Sequence, residues 1–208
     1  MIDIKTRERI IALIKREVVP AIGCTEPMAV ALCVAKATET LGCRPEKISL
    51  LLSANILKNA MGVGIPGTGM IGLPIAVSLG ALIGKSAYGL EVLKDLTPET
   101  LAEGKAYMES HCIDIKLKEG ITEKLYIEVA CEAGGHCATA VIAGSHTRFV
   151  TVTRDEEILM GAAAGVSSED HDEDIRLDMC LVSDFAMTSP LDELRFILAT
   201  KEYNMGAA

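Results

Sequence analysis

Apolar positions fall into blocks of different period along the chain, and each period predicts a different element. Ile10, Ile11, Leu13, Ile14 and Val18 recur at helical spacing with Lys15, Arg16 and Glu17 opposite, so an amphipathic first helix is predicted, ended by Pro20. From about Glu26 to Leu41 the apolar residues run nearly all round, through Ala29, Val30, Ala31, Leu32, Cys33, Val34 and Ala35. That pattern predicts a helix buried at the centre of the fold. Ile48 to Ser53 reads as a largely buried strand, and Thr97-Pro98-Glu99 starts a helix lasting to about His111. Leu125, Ile127, Val129 and Cys131 then alternate with Tyr126, Glu128, Ala130 and Glu132, the period of a half-buried strand. Gly134-Gly135 turns the chain into two further strands near Cys137 to Ala143 and Arg148 to Thr153. A last helix is expected after Ser189 as cap and Pro190 in its first turn, with Leu191, Leu194, Ile197 and Leu198 on one face. That face has no later segment to cover it, and a missing half is expected to pack there.

The predicted class is α+β: helical N- and C-terminal pieces around an inserted domain with a largely antiparallel sheet. The expected division assigns 1–44 and 170–208 to the helical pieces, 45–160 to the α+β domain, and 161–169 to a linker.

Composition narrows the function. Half of the 208 residues are hydrophobic but only 3% are aromatic and none is Trp, which suits closely packed helices of small and aliphatic side chains. A net charge of -9 argues against nucleic acid or an anionic membrane as partner. The uncharged stretch between Lys58 and Lys85 is broken by seven Gly and Pro residues from Gly62 to Pro74. It reads as a buried loop entering a buried helix at about Ile71 to Ile83, too short to cross a bilayer. Seven cysteines without framework spacing, and a start lacking a signal-peptide pattern, point to the cytoplasm.

Cys24-Thr25-Glu26-Pro27 carries the sharpest chemical signal. Thr25 is the expected cap and Pro27 a first-turn residue, which sets Cys24 at the positive end of a helix dipole, a field that favours thiolate. Gly67-Thr68-Gly69-Met70-Ile71-Gly72 matches the letters of a dinucleotide fingerprint, but no strand ends at its first Gly. The loop's glycines and the following helix start instead suit a small carboxylate, with Asn55, Lys58 and Asn59 upstream as further donors. His146, on the turn Gly144 to Thr147, is a candidate base or an ordinary loop histidine. Asp170, His171, Asp172 and Asp174 lack the spacing of a calcium loop and read as a solvated linker. Cys131, His136 and Cys137 flank a turn without a second ligand pair at zinc spacing.

Pro20 to Pro27, Asn55 to Asn59, Gly62 to Ala76, Gly89 to Asp95 and Gly144 to Thr147 together resemble the L-cysteine desulfidase family, which is related to the iron-sulfur L-serine dehydratases. The resemblance implies β-elimination of L-cysteine to pyruvate, ammonia and sulfide. It also implies a four-iron four-sulfur cluster in the complete enzyme, with Cys24 as one of three cysteine ligands and one iron left open to act on the substrate. The two other cluster cysteines of the family lie in a second half that this sequence does not contain, so the chain is expected to be an N-terminal half that holds no cluster alone. Read from the residues themselves, His146 is the catalytic candidate and Asn55, Lys58, Asn59, Gly67, Thr68 and Gly69 are the substrate-binding set. Expected partners are a small amino-acid substrate, the missing C-terminal half or a second subunit, and further copies in a homo-oligomer. The alternatives are a non-catalytic amino-acid-binding or assembly module, an L-serine dehydratase-like subunit, or a metal-free thiol enzyme using Cys24 with His146 nearby.

Overall fold

The computed structural model describes residues 2–110, 112–161 and 175–207. The acidic cluster from Asp170 to Asp174 and nearly all of the expected linker lie outside the described residues. The chain forms two compact units, one containing helix α1 (Ile4–Glu17) and the C-terminal helices, the other running from Ala21 through the sheet.

The larger unit is built on a six-stranded sheet of β1 (Lys47–Leu52), β4 (Cys112–Leu117), β5 (Tyr126–Ala133), β6 (His136–Ala143), β7 (Phe149–Arg154) and β8 (Glu157–Gly161). Their order is β4-β1-β5-β6-β7-β8; only β1 and β4 are parallel, and every other pair is antiparallel. The α+β class with a mostly antiparallel sheet and helices at both ends is therefore what the chain adopts. Strand β5 alternates half-buried and buried residues along its whole length, and β1 does nearly the same. Ile127, Val129 and Cys131 thus join the core with Ile48, Leu50 and Leu52, while Glu128 and Glu132 stay on the open face. In β1, expected to be largely buried, Ile48, Leu50 and Leu52 are sealed while Ser49 and Leu51 lie on that open face.

Helix α2 (Thr25–Leu41) is the centre of the core, with every residue from Met28 to Ala35 essentially sealed from solvent. It lies against β5 and β6 on one side and α4 (Leu73–Ile83) on the other. A Cβ on Gly80 would sit 2.7 Å from the Ala31 carbonyl oxygen, and one on Gly84 would sit 2.7 Å from the Ala35 Cβ. Small residues thus allow the two helix backbones to touch, as an aromatic-poor composition permits. Both contacts advance along both helices together, so α2 and α4 run in the same direction. Helix α5 (Pro98–Ser110) packs outside α4, with Gly104 against Leu79 and Tyr107 donating its hydroxyl to the Pro45 carbonyl at 2.7 Å.

Three expectations need correction. Helix α2 belongs with the sheet rather than with the terminal helices, since its apolar circumference is what covers the sheet. Residues 62–72 form a largely surface hairpin of β2 (Gly64–Ile65) and β3 (Met70–Ile71) rather than a buried loop, although the helix after it is buried as expected. Ser189 ends one helix, α6 (Met179–Thr188), instead of starting one. The chain after it is broken into α7 (Leu191–Leu194), a 3-10 turn and α8 (Thr200–Ala207). In that unit Arg7 of α1 grips Glu193 through two bonds of 2.7 and 3.1 Å, and Lys15 lies 5.0 Å from the Phe196 ring centre. No helix among the described residues is long and apolar enough to cross a membrane.

Candidate functional site

Cys24 is held by its backbone before its side chain does anything. Gly23 has φ +83°, and a Cβ there would lie 2.6 Å from the Pro66 ring, so only glycine allows this turn against the hairpin. The Ile22 amide donates to the Leu90 carbonyl at 3.2 Å, which ties the same turn to the chain after α4. Cys24 itself, at φ -68° and ψ 136°, occupies the N-cap position of α2. Its thiol does not cap the helix. Thr25, expected as the cap, is instead the first helical residue, and its hydroxyl turns to Glu26 at 3.2 Å.

The Cys24 Sγ donates to Glu26 Oε2 at 2.9 Å, and Asn59 of α3 (Ala54–Met61) donates from Nδ2 to Glu26 Oε1 at 3.1 Å. All three side chains are half-buried. The bond to Glu26, followed by burial, pushes the Cys24 thiol above its ordinary pKa, while the free amides of the helix start pull it down more weakly. Glu26 moves the opposite way, held low first by the Cys24 bond and further by Asn59 and Thr25. The pair therefore carries its proton on sulfur and its charge on the carboxylate. This corrects the expectation of a thiolate stabilised by the helix dipole: a charge in contact outweighs a dipole end.

The other expected site residues divide. Asn59 joins the thiol, but through Glu26 and not as a free donor. Lys58 is exposed on α3. Asn55 lines an open depression of about 460 Å³ with Ser53 and residues 117–124. Gly67 and Gly69 take φ +76° and +65° in the hairpin turn, and Thr68 between them donates to the Ile65 carbonyl at 2.6 Å and accepts from the Met70 amide at 3.0 Å. Thr68 thus closes the hairpin. His146 is half-buried in the β6–β7 turn, and none of the hydrogen bonds at Cys24 involves it. The partner carboxylate lies two residues from the thiol, and the sequence pattern, which singles out Thr25 and Pro27 as helix-start residues, does not show that Glu26 turns back to the sulfur.

Elsewhere, His136 Nδ1 meets Asp155 Oδ2 at 2.7 Å and the Cys137 amide donates to Asp155 Oδ1 at 2.9 Å, beside a depression of about 350 Å³. Cys131 is buried on the opposite face and bonds Thr38 at 3.8 Å, so the three residues flanking that turn do not converge. No group of three or more His, Cys, Asp or Glu side chains that could hold a metal ion occurs among the described residues.

Sequence relatives bear on the family. A protein of Bacteroides fragilis is 66% identical over 202 residues, which is 97% of this chain and 47% of that protein. One of Phocaeicola vulgatus is 64% identical over 208 residues, 100% of the chain and 48% of the relative. One of Aeromonas salmonicida is 44% identical over 201 residues, 95% and 46%. The chain is similar to UPF0597 proteins. It spans about half the length of these curated relatives. No family model and no solved structure matches.

These relatives overturn the resemblance to L-cysteine desulfidases: proteins this close over nearly the whole chain bear the UPF0597 name and not that of a desulfidase, lyase or dehydratase. The description of the chain as the truncated half of an iron-sulfur desulfidase falls with it. The dehydratase-like subunit and the amino-acid-binding module gain no support from these names either.

Proposed function

We propose that this chain carries the thiol centre of an enzyme acting on a small electrophilic molecule, with Cys24 as nucleophile and Glu26 as its base. One observation carries the reading: the Cys24 thiol donates to a carboxylate that Asn59 steadies from the other side. As sulfur adds to a polarised carbonyl or alkene carbon, the thiol proton passes to Glu26 and the π electrons move onto the substrate. The same-direction helices α2 and α4 both start at this end of the unit, and their free amides favour the negative charge that such an addition builds. The proposed substrate is accordingly small and anionic or becomes so on addition.

Labelling of Cys24 by iodoacetamide, followed by peptide mass between pH 6 and 9, tests the role of Glu26. A working base makes Glu26→Gln slow that labelling by about tenfold or more below pH 8. A passive hydrogen bond gives the opposite sign, because removing the carboxylate charge lets the thiol ionise more easily. Faster labelling in Glu26→Gln would refute the proposal.

A further inference from the structure

The unit formed by α1 and the C-terminal helices buries almost nothing of its own. Among its described residues, Ile10 and Phe185 are its buried hydrophobic side chains. Many of its other large apolar residues face outward: Met179, Met187 and Leu191 are 81–82% exposed, Leu198 69%, Met205 68% and Tyr203 58%. Leu194, grouped with Leu191, Ile197 and Leu198 in the sequence, is half-buried, while its three companions are exposed. These six side chains, all C-terminal to Arg176, present on the order of 700 Å² of mostly apolar surface, close to one partner's share of a standard interface. Two contacts of charged side chains link α1 to α7 and the following turn, the Arg7–Glu193 pair and Lys15 over Phe196. A unit with two buried apolar side chains and this much open surface lacks the core that a fold of its size requires.

We propose that the outward surface of α6, α7 and α8 is the docking face for a polypeptide equivalent to the part of the UPF0597 relatives that has no counterpart here. The relatives supply the argument for this occupant. The chain accounts for 46–49% of their length, so each relative carries a comparable length of polypeptide at one-to-one stoichiometry with this unit. The residues on offer suit such a partner. Three of the six are methionines, which adapt to a protein surface, and the tyrosine can keep its hydroxyl at a wet rim. The inference is independent of the thiol reading, and either can fail without the other.

The test co-expresses the 208-residue chain, tagged, with the non-matching part of the Bacteroides fragilis relative, and measures recovered partner and the mass of the complex in solution. The expected result is a one-to-one complex. Leu191→Glu combined with Leu198→Glu should reduce the recovered partner by about tenfold or more, since each places a charge in an apolar contact. Ile158→Glu, at an equally exposed site on β8, should not. No complex, or one indifferent to the paired change, overturns the proposal. A homodimer lost with the same pair would place a second copy on the face instead. Protection of Met187 and Met205 from peroxide in a monomer would place the chain's own larger unit there.

Discussion

Gly80→Ala tests the packing on which the site rests, because two effects of known size oppose each other there. In an exposed helix the change stabilises by about 1 kcal/mol through propensity. In α4 the new Cβ would meet the Ala31 carbonyl oxygen at 2.7 Å, its Cα at 3.1 Å and its carbonyl carbon at 3.3 Å. All three are backbone atoms of a sealed helix, so no side chain can turn aside. Restoring an ordinary separation of about 3.5 Å means parting α2 and α4 by roughly 0.5–0.8 Å, a gap that forfeits a quarter to a half of each contact along the seam. Overpacking of this kind costs about 1–3 kcal/mol, which exceeds the propensity gain and leaves a net loss of about 1–2 kcal/mol. For a unit of this size that lowers Tm by roughly 2–8 °C. Thermal unfolding followed by circular dichroism reads the shift, with Gly206→Ala in α8, where a Cβ would meet nothing, as the matched control. A Gly80→Ala protein as stable as the parent would refute the close approach of the two helices.

Other outcomes follow from single contacts. Tyr107→Phe should cost about 1–3 kcal/mol at pH 7, measured by urea unfolding, because the buried Pro45 carbonyl loses its donor. Burial raises the Tyr107 hydroxyl from 10.0 to about 12, so its contribution is complete below pH 10 and is lost as pH rises toward 12. The mutant should lose less stability than the parent across that window. Glu156→Gly should stabilise by roughly 0.5–1 kcal/mol in the same assay, since Asp155 and Glu156 both hold positive φ in the two-residue β7–β8 turn, a conformation glycine adopts freely. Native protein treated with a chromogenic disulfide should react quickly at exposed Cys43 and Cys180, whereas Cys33 and Cys131, whose thiols burial pushes up, should react only on unfolding.

What could be read from the sequence was set by periodicity over enough residues. Helices α1 and α2 and strand β5 repeat their pattern across several turns or alternations, while α5 is announced by Thr97-Pro98-Glu99 and β6 and β7 by the turn at Gly134-Gly135, and each is found close to its expected place. Strand β4 was also legible, in Ile113, Ile115 and Leu117 against Asp114 and Lys116, but it follows a helix without a glycine or proline to announce it. Helix α3 is hard to read in the sequence because it is short and its buried face is only Ile56 and Ala60, set among the polar Asn55, Lys58 and Asn59. Helix α6 was missed because it buries only Phe185, so no apolar stripe marks it. At the site, Cys24 was visible from its place before a helix. Its protonation was not, because that depends on which way the Glu26 side chain turns, and Asn59 on another helix helps to decide it.

The sealed α2 helix gives the thiol an asymmetric setting in time as well as in space. Amide hydrogens from Met28 to Ala35 can exchange only when the whole unit opens, so the helix that presents Cys24 and Glu26 at its start is anchored along its middle. The β2–β3 hairpin, whose Pro66 lies against Gly23, has two paired residues in each strand and a turn with two glycines, and such a segment opens by itself far more often. Any molecule that reaches the thiol therefore meets one surface shaped in advance and one that must settle around it.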